Sequence, residues 1–205
     1  MKCPSDVDLV IEMVNDGTLP DWFMTFNELD YSYGGFTCTA SPEEAGAKMK
    51  QLVDAVNAKG GVKTKWIAPV TADAMSDWLP RFYAACGCQN FFTAYNLHIY
   101  QPTSAQAIGI LNSWRAKFGD KPTWVTELAP GNANPPCSLN ADAVGTFMKE
   151  TFAWAKQSGW VEKIFWNTGN QIGPEDHSVC NSYLVDSGGN PNSALLDKFK
   201  AVDCS

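Results

Sequence analysis

Trp22-Phe23-Met24-Thr25-Phe26-Asn27-Glu28-Leu29-Asp30 starts as an uncharged run of β-formers and ends in an amide, a carboxylate and a turn signal, Asp30 followed by Gly34-Gly35. Such a run predicts a buried strand. A core strand gains nothing from a terminal carboxylate, because burying an unpaired charge costs several kcal/mol. A catalytic strand gains a rigidly mounted acid at the mouth of a sheet. Pro122-Thr123-Trp124-Val125-Thr126-Glu127-Leu128-Ala129-Pro130 has the same grammar, about a hundred residues later.

Working outward from these two stretches, strands and helices alternate. A helix pattern over residues 6–14 precedes the first strand, 22–27. Ser41-Pro42-Glu43-Glu44 reads as a capping box, with Ser41 as N-cap and Pro42 at the first helical position. Ala45, Met49, Leu52, Val53 and Val56 then share one face, and Gly60-Gly61 ends that helix. A strand is expected at 63–70, a helix at 71–85 that is short or kinked at Pro80, and a strand at 91–100. Thr103 and Gln106 cap the next helix, whose Ile110, Leu111, Trp114 and Phe118 face inward. Strands at 123–128 and 164–167 and helices at 141–157 and 192–202 complete the alternation, with an Asn/Pro-rich loop at 131–140. Trp66, Trp78, Trp114 and Trp154 are expected in the core.

Repeated β-α units imply right-handed crossovers and a parallel sheet. No G-x-G-x-x-G or G-x-x-x-x-G-K-[ST] loop follows a strand, which removes the nucleotide-binding open sheets. Polar side chains close nearly every strand: Asn27 and Glu28, His98 and Tyr100, Glu127, then Trp166 and Asn167. Function drawn from several strand ends is the habit of a TIM-type (β/α) barrel, expected here as a single domain over residues 1–205.

Composition narrows the partners. The chain has 205 residues, 45% of them hydrophobic, eight tryptophans and a formal charge of -7. The acidic balance argues against nucleic acid, and the want of Gly-rich anion loops and of basic residues at the mouth argues against a phosphate-handling barrel enzyme. Neutral, stackable ligands suit it better. Two histidines and no C-x-x-C pair give no expectation of a metal site, and no cofactor is expected. Seven cysteines, several (Cys38, Cys137, Cys180, Cys204) in loop-like segments, suggest disulfides and an exported protein. Neither a signal peptide nor an 18-residue apolar run is visible. Oxidising chemistry without an export signal reads as a chain that starts late.

Two carboxylates at one mouth can cleave a glycosidic bond, one donating a proton to the leaving oxygen while the other attacks or activates water. Sugars also need aromatic faces and neutral amides, which Trp166, Tyr100, Asn27 and Asn167 supply.

Phe26-Asn27-Glu28-Leu29-Asp30, Leu97-His98-Ile99-Tyr100, Trp124-Val125-Thr126-Glu127-Leu128 and Phe165-Trp166-Asn167 resemble the strand-4, -6, -7 and -8 signatures of glycoside hydrolase family 128. These are the alkali-sensitive-linkage-protein-like endo-β-1,3-glucanases of the retaining clan A barrels. Ser182-Tyr183-Leu184-Val185-Asp186-Ser187-Gly188-Gly189-Asn190, with Ala194-Leu195, resembles the family's closing segment. The resemblance implies Glu28 as general acid/base, Glu127 as nucleophile and Asn27 on the sugar 2-hydroxyl. Trp166 would be the platform under the reacting ring, and His98 and Tyr100 would support the strand-6 side. It implies a β-glucan partner and an extracellular or cell-wall location. Leu29 stands where the family motif usually has proline, which alters the turn after Glu28. The family's first three β/α units have no counterpart, so the barrel is expected to be incomplete, with about five units corresponding to strands 4–8. Its open edges would favour self-association. The alternative reading is a non-catalytic glucan-binding or cell-wall-associated protein on a truncated barrel.

Overall fold

Local capping sets the helices. Ser41 accepts the amide of Glu44 at 3.1 Å and starts α2 (Pro42–Ala58) with proline in its first turn. Thr103 accepts the amide of Gln106 at 3.3 Å before α4 (Ser104–Phe118), and Asn140 that of Ala143 at 2.9 Å before α5 (Ala141–Ser158). Each cap satisfies one amide that a helix start leaves unpaired. In this computed structural model, residues 1–32, 38–119, 121–131, 139–167, 180, 182–186 and 188–202 are described. Gly34-Gly35, most of loop 131–140, Cys137, Ser187 and Cys204 lie outside them.

The chain divides into two units, Met1–Asn96 and Leu97–Ser205. The first holds α1 (Asp6–Asp16), β1 (Trp22–Met24), α2, β2 (Lys65–Ile67) and α3 (Trp78–Cys86). β1 and β2 pair in parallel with Trp22 opposite Lys65 and Met24 opposite Ile67. The pairing continues beyond the regular ladder: the amide of Thr25 reaches the Ile67 carbonyl, and that of Glu28 reaches Val70. Asn27 bridges Val70, also in parallel. The helices bury Ala45, Met49, Leu52, Leu79 and Phe82 with Phe26 and Leu29. Phe82 stands edge-on to Phe26 and stacks on Trp78.

The expected helix at 71–85 is shorter, Trp78–Cys86. Pro80 sits in its first turn, where a missing N–H costs nothing, and so belongs to the helix start rather than kinking it. The strand expected from residue 91 starts at Tyr95, because Gln89–Phe91 coil into a 3-10 turn. Cys86 and Cys88 lie just before that corner and are bonded to each other. Cys180 is also disulfide-bonded, whereas Cys38, expected in a disulfide, is a free thiol, as is Cys3.

The second unit carries β3 (Tyr95–Tyr100, entering from the first), α4, β4 (Thr123–Ala129), α5, β5 (Val161–Trp166) and α6 (Ser193–Lys200). The sheet order is β3-β4-β5, and β4 and β5 run parallel. Neither sheet closes on itself, and the alternation of strands and helices agrees with part of a β/α barrel. The last strand begins earlier than expected, at Val161. Leu111 and Trp114 are buried on α4, while Ile110 and Phe118 are half-buried. Trp154, expected in the core, is also half-buried, its ring edge-on to Trp160. Val144 and Met148 on α5 meet Leu195 on α6 in a closed cluster.

One irregularity in this sheet bears on the site. Val125 pairs with Ile164 and Leu128 with Trp166, so Thr126 and Glu127 together face the single residue Phe165. Two residues against one is the arithmetic of a β-bulge, which breaks strand alternation and re-aims side chains.

Candidate active site

In the second unit the strand ends bring four of the expected residues together. His98 and Tyr100 are two apart on β3 and so share a face. Oε2 of Glu127, half-buried on β4, accepts from the Tyr100 hydroxyl in a very short hydrogen bond. The same oxygen accepts Nδ2 of Asn167 at 3.0 Å and lies 3.3 Å from Nδ1 of His98. Asn167 Nδ2 also reaches the Tyr100 oxygen. Asn167 is placed by the sheet itself, since its backbone amide donates to the carbonyl of Leu128 at 3.0 Å.

An ionised carboxylate can only accept; the phenol and the amide each offer it a hydrogen, as does an imidazole protonated on Nδ1. Such donors fix the direction in which the carboxylate points and leave its second oxygen for another role. His98 Nδ1 and Glu127 Oε2 are also metal-ligand types, and here they engage each other.

Trp166 follows the expected address but not with a bare ring. Its indole N–H donates to the carbonyl of Ser182 at 3.1 Å, and its ring packs on Phe147 beside the Val144–Met148–Leu195 cluster. Tyr100 packs against Ala129 and Tyr183. Ser182 and Tyr183 belong to the closing segment singled out in the sequence, whose Val185 and Pro191 form an antiparallel bridge.

The first unit holds Asn27 and Glu28. Asn27 is exposed and Glu28 half-buried at the end of the β1 extension. Glu28 has φ 50°, in the left-handed region that side-chain-bearing residues seldom occupy. Strain of this kind survives where neighbours over-determine it, and it concentrates at functional positions. The neighbours here are the hydrogen bond from the Glu28 amide to the Val70 carbonyl at 2.9 Å and the buried side chain of Leu29. Asp30 adds a third tie, accepting the amides of Ala72 at 2.9 Å and Asp73 at 3.2 Å.

Two residues escaped the sequence reading. Asp30 was taken as a turn former, whereas its carboxylate clamps the segment after β2. Thr126 was passed over because strand alternation turns it away from Glu127; only the bulge returns it, to 3.1 Å from Nε2 of His98.

The family model described as glycosyl hydrolase catalytic core matches residues 4–196. No curated protein matches the chain significantly. Among solved structures, an exo-β-1,3-glucanase of glycoside hydrolase family 128, subgroup V, from Cryptococcus neoformans aligns with a TM-score of 0.71 at 21% identity, covering 87% of this chain and 68% of its own. An endo-β-1,3-glucanase of subgroup I from Amycolatopsis mediterranei, a variant in complex with laminaripentaose, gives 0.71 at 19% identity, covering 98% and 79%. An oligosaccharide-binding protein of subgroup VII from Trichoderma gamsii gives 0.69 at 16% identity, covering 97% and 76%. At these identities the likeness is one of fold, and it agrees with the resemblance carried by the strand-end motifs.

Proposed function

The chain belongs to the glycosyl hydrolase catalytic core family, and from that premise we propose that it hydrolyses β-1,3-glucan by a retaining two-glutamate mechanism. The observation that carries the reading is the convergence of Tyr100, Asn167 and His98 on one oxygen of Glu127. A carboxylate held in this way suits a nucleophile. The scaffold would be an incomplete parallel barrel of five β/α units.

In this reading Glu127 attacks the anomeric carbon while Glu28 gives its proton to the departing glycosidic oxygen. The C–O bond breaks and a glycosyl ester forms on Glu127. Glu28, now a carboxylate, takes a proton from water as that water attacks the same carbon, and Glu127 is released. Retention requires the two carboxyl groups about 5–5.5 Å apart. Asn27 would hold the sugar 2-hydroxyl, Trp166 would lie under the reacting ring, and Asn167 and Tyr100 would add polar contacts to the sugar. The substrate would be met outside the cell or in its wall.

The test is reducing-sugar release from a laminarin-type glucan by the chain and its Glu28→Gln and Glu127→Gln variants. Loss on the order of 10²–10⁴-fold for Glu28→Gln, the range general acid catalysis supplies, is the expected result. Glu127→Gln should abolish turnover. A second reading keeps glucan binding and drops the reaction, and the structurally similar oligosaccharide-binding protein favours it. Glucan binding without turnover, unchanged in Glu28→Gln, would select it.

A further inference from the structure

We propose that Thr126 is a positioning residue, its hydroxyl donating to Nε2 of His98 and so holding the imidazole in the orientation that presents Nδ1–H to Glu127. The inference rests on the reading of Glu127 as the nucleophile.

The His98 side chain is 1% exposed, so its ring nitrogens take their partners from the protein around them. A neutral imidazole has one N–H and one lone pair, and which nitrogen carries the hydrogen is set by the neighbours. Oε2 of Glu127 lies 3.3 Å from Nδ1, and Oγ1 of Thr126 lies 3.1 Å from Nε2. An ionised carboxylate cannot donate, so a productive contact on that side requires Nδ1–H. The lone pair then belongs to Nε2, and the residue facing it must be able to donate. A hydroxyl can; a carbonyl or carboxylate there would demand Nε2–H and turn the Nδ1 lone pair against Glu127.

The backbone delivers this pairing through the irregularity in β4. Consecutive residues of a regular strand point to opposite faces. Because Thr126 and Glu127 together face Phe165 alone, both reach the same imidazole, one at each nitrogen. The arrangement places the group that anchors the ring and the group that receives its N–H side by side in the sequence.

Nitrogen-15 NMR of the ring-labelled chain tests this directly. The sequence has two histidines, and a His177→Gln background leaves His98 as the single imidazole signal. At neutral pH the expected spectrum has a protonated Nδ1 and an unprotonated Nε2. Thr126→Val, which keeps the shape and removes the hydroxyl, should leave the proton on Nδ1 and move the Nε2 resonance toward that of a nitrogen without a hydrogen-bond donor, and Thr126→Ser should restore it. On glucan, kcat should fall about ten- to a hundredfold in Thr126→Val, with KM little changed, and recover in Thr126→Ser. A wild-type ring protonated at Nε2, alone or at both nitrogens, overturns the proposal. So does a Thr126→Val spectrum identical to wild type. If the Nε2 resonance moves as expected in a chain that hydrolyses no glucan, the positioning role stands and the glucanase reading fails.

Discussion

The carboxylate of Asp30 accepts the backbone amide of Ala72 at 2.9 Å and so ties the turn after Glu28 to the segment after β2. The bond is charge-assisted and is doubled by the amide of Asp73. Asp30→Ala should cost about 1–3 kcal/mol in urea unfolding. Glucan hydrolysis should fall with it, since the same turn carries Glu28. Asp30→Asn should lie between, because it keeps one acceptor without the charge. An Asp30→Ala chain of unchanged stability and activity would show that the turn holds itself.

The left-handed backbone of Glu28 makes a second prediction. Glycine adopts φ 50° freely, whereas an alanine there pays about 1–2 kcal/mol. Both substitutions remove the same carboxylate, so their difference isolates the backbone. Glu28→Gly should be more stable than Glu28→Ala by about 1 kcal/mol, and both should be inactive. Equal midpoints in a denaturant titration would mean that the turn relaxes once the side chain is gone.

Tyr100→Phe removes one hydrogen from Oε2 of Glu127 and leaves the ring packed on Ala129 and Tyr183. The expected outcome is an intact fold with kcat lowered about tenfold or more, on the scale of a charge-assisted hydrogen bond. Circular dichroism and steady-state kinetics on the same preparation would separate the two effects.

The Cys38 thiol is pushed up to about 11, chiefly by its hydrogen bond with the Cys3 thiol. Only the thiolate reacts with iodoacetamide, and a raised value keeps the neutral thiol to higher pH. At pH 8 Cys38 should therefore label about a hundredfold more slowly in the folded than in the unfolded chain, its rate rising about tenfold per pH unit until near 11. Cys3→Ala should speed it at pH 8. Peptide mapping by mass spectrometry gives both rates, and equal labelling of folded and unfolded chains would refute the assignment.

Gly46 lies where α2 meets α3. A Cβ placed there would stand 2.6 Å from the Cβ of Ala85 and 3.0 Å from the carbonyl of Phe82. Neither neighbour can swing away, so Gly46→Ala should destabilise by about 1–3 kcal/mol despite alanine's better helix propensity. A smaller second residue tests the cause: Ala85→Gly in the same chain should recover part of the loss.

Much of this molecule is legible in its sequence, because local rules and tertiary structure agree there. Ser41, Pro42 and Thr103 mark helix starts that the fold keeps. The polar residues closing β3, β4 and β5 meet around one carboxylate. The start of β3 was missed because Phe91 and Phe92 suit a strand as well as they suit the packed corner in which they lie, and hydrophobicity does not separate the two. Trp154 was taken for a core residue on size alone, although large indoles often keep one face in water. Thr126 was hidden for a deeper reason. Sequence reading assumes that alternation persists through a strand, and the slip opposite Phe165 leaves no mark in residue type.

That slip changes what kind of mutation the strand can bear. A chain segment that must deliver adjacent letters of its sequence to a single target is constrained in spacing as much as in spelling. In the proposed arrangement the count of residues between Val125 and Leu128 matters in itself: removing one would restore an unbroken ladder to Ile164 and Trp166 and leave β4 a neater strand. It would also cost the strand one of two neighbours that now act in concert. Deletions here should therefore be far more damaging than substitutions of similar size, and the most regular version of this sheet should be the one that does nothing.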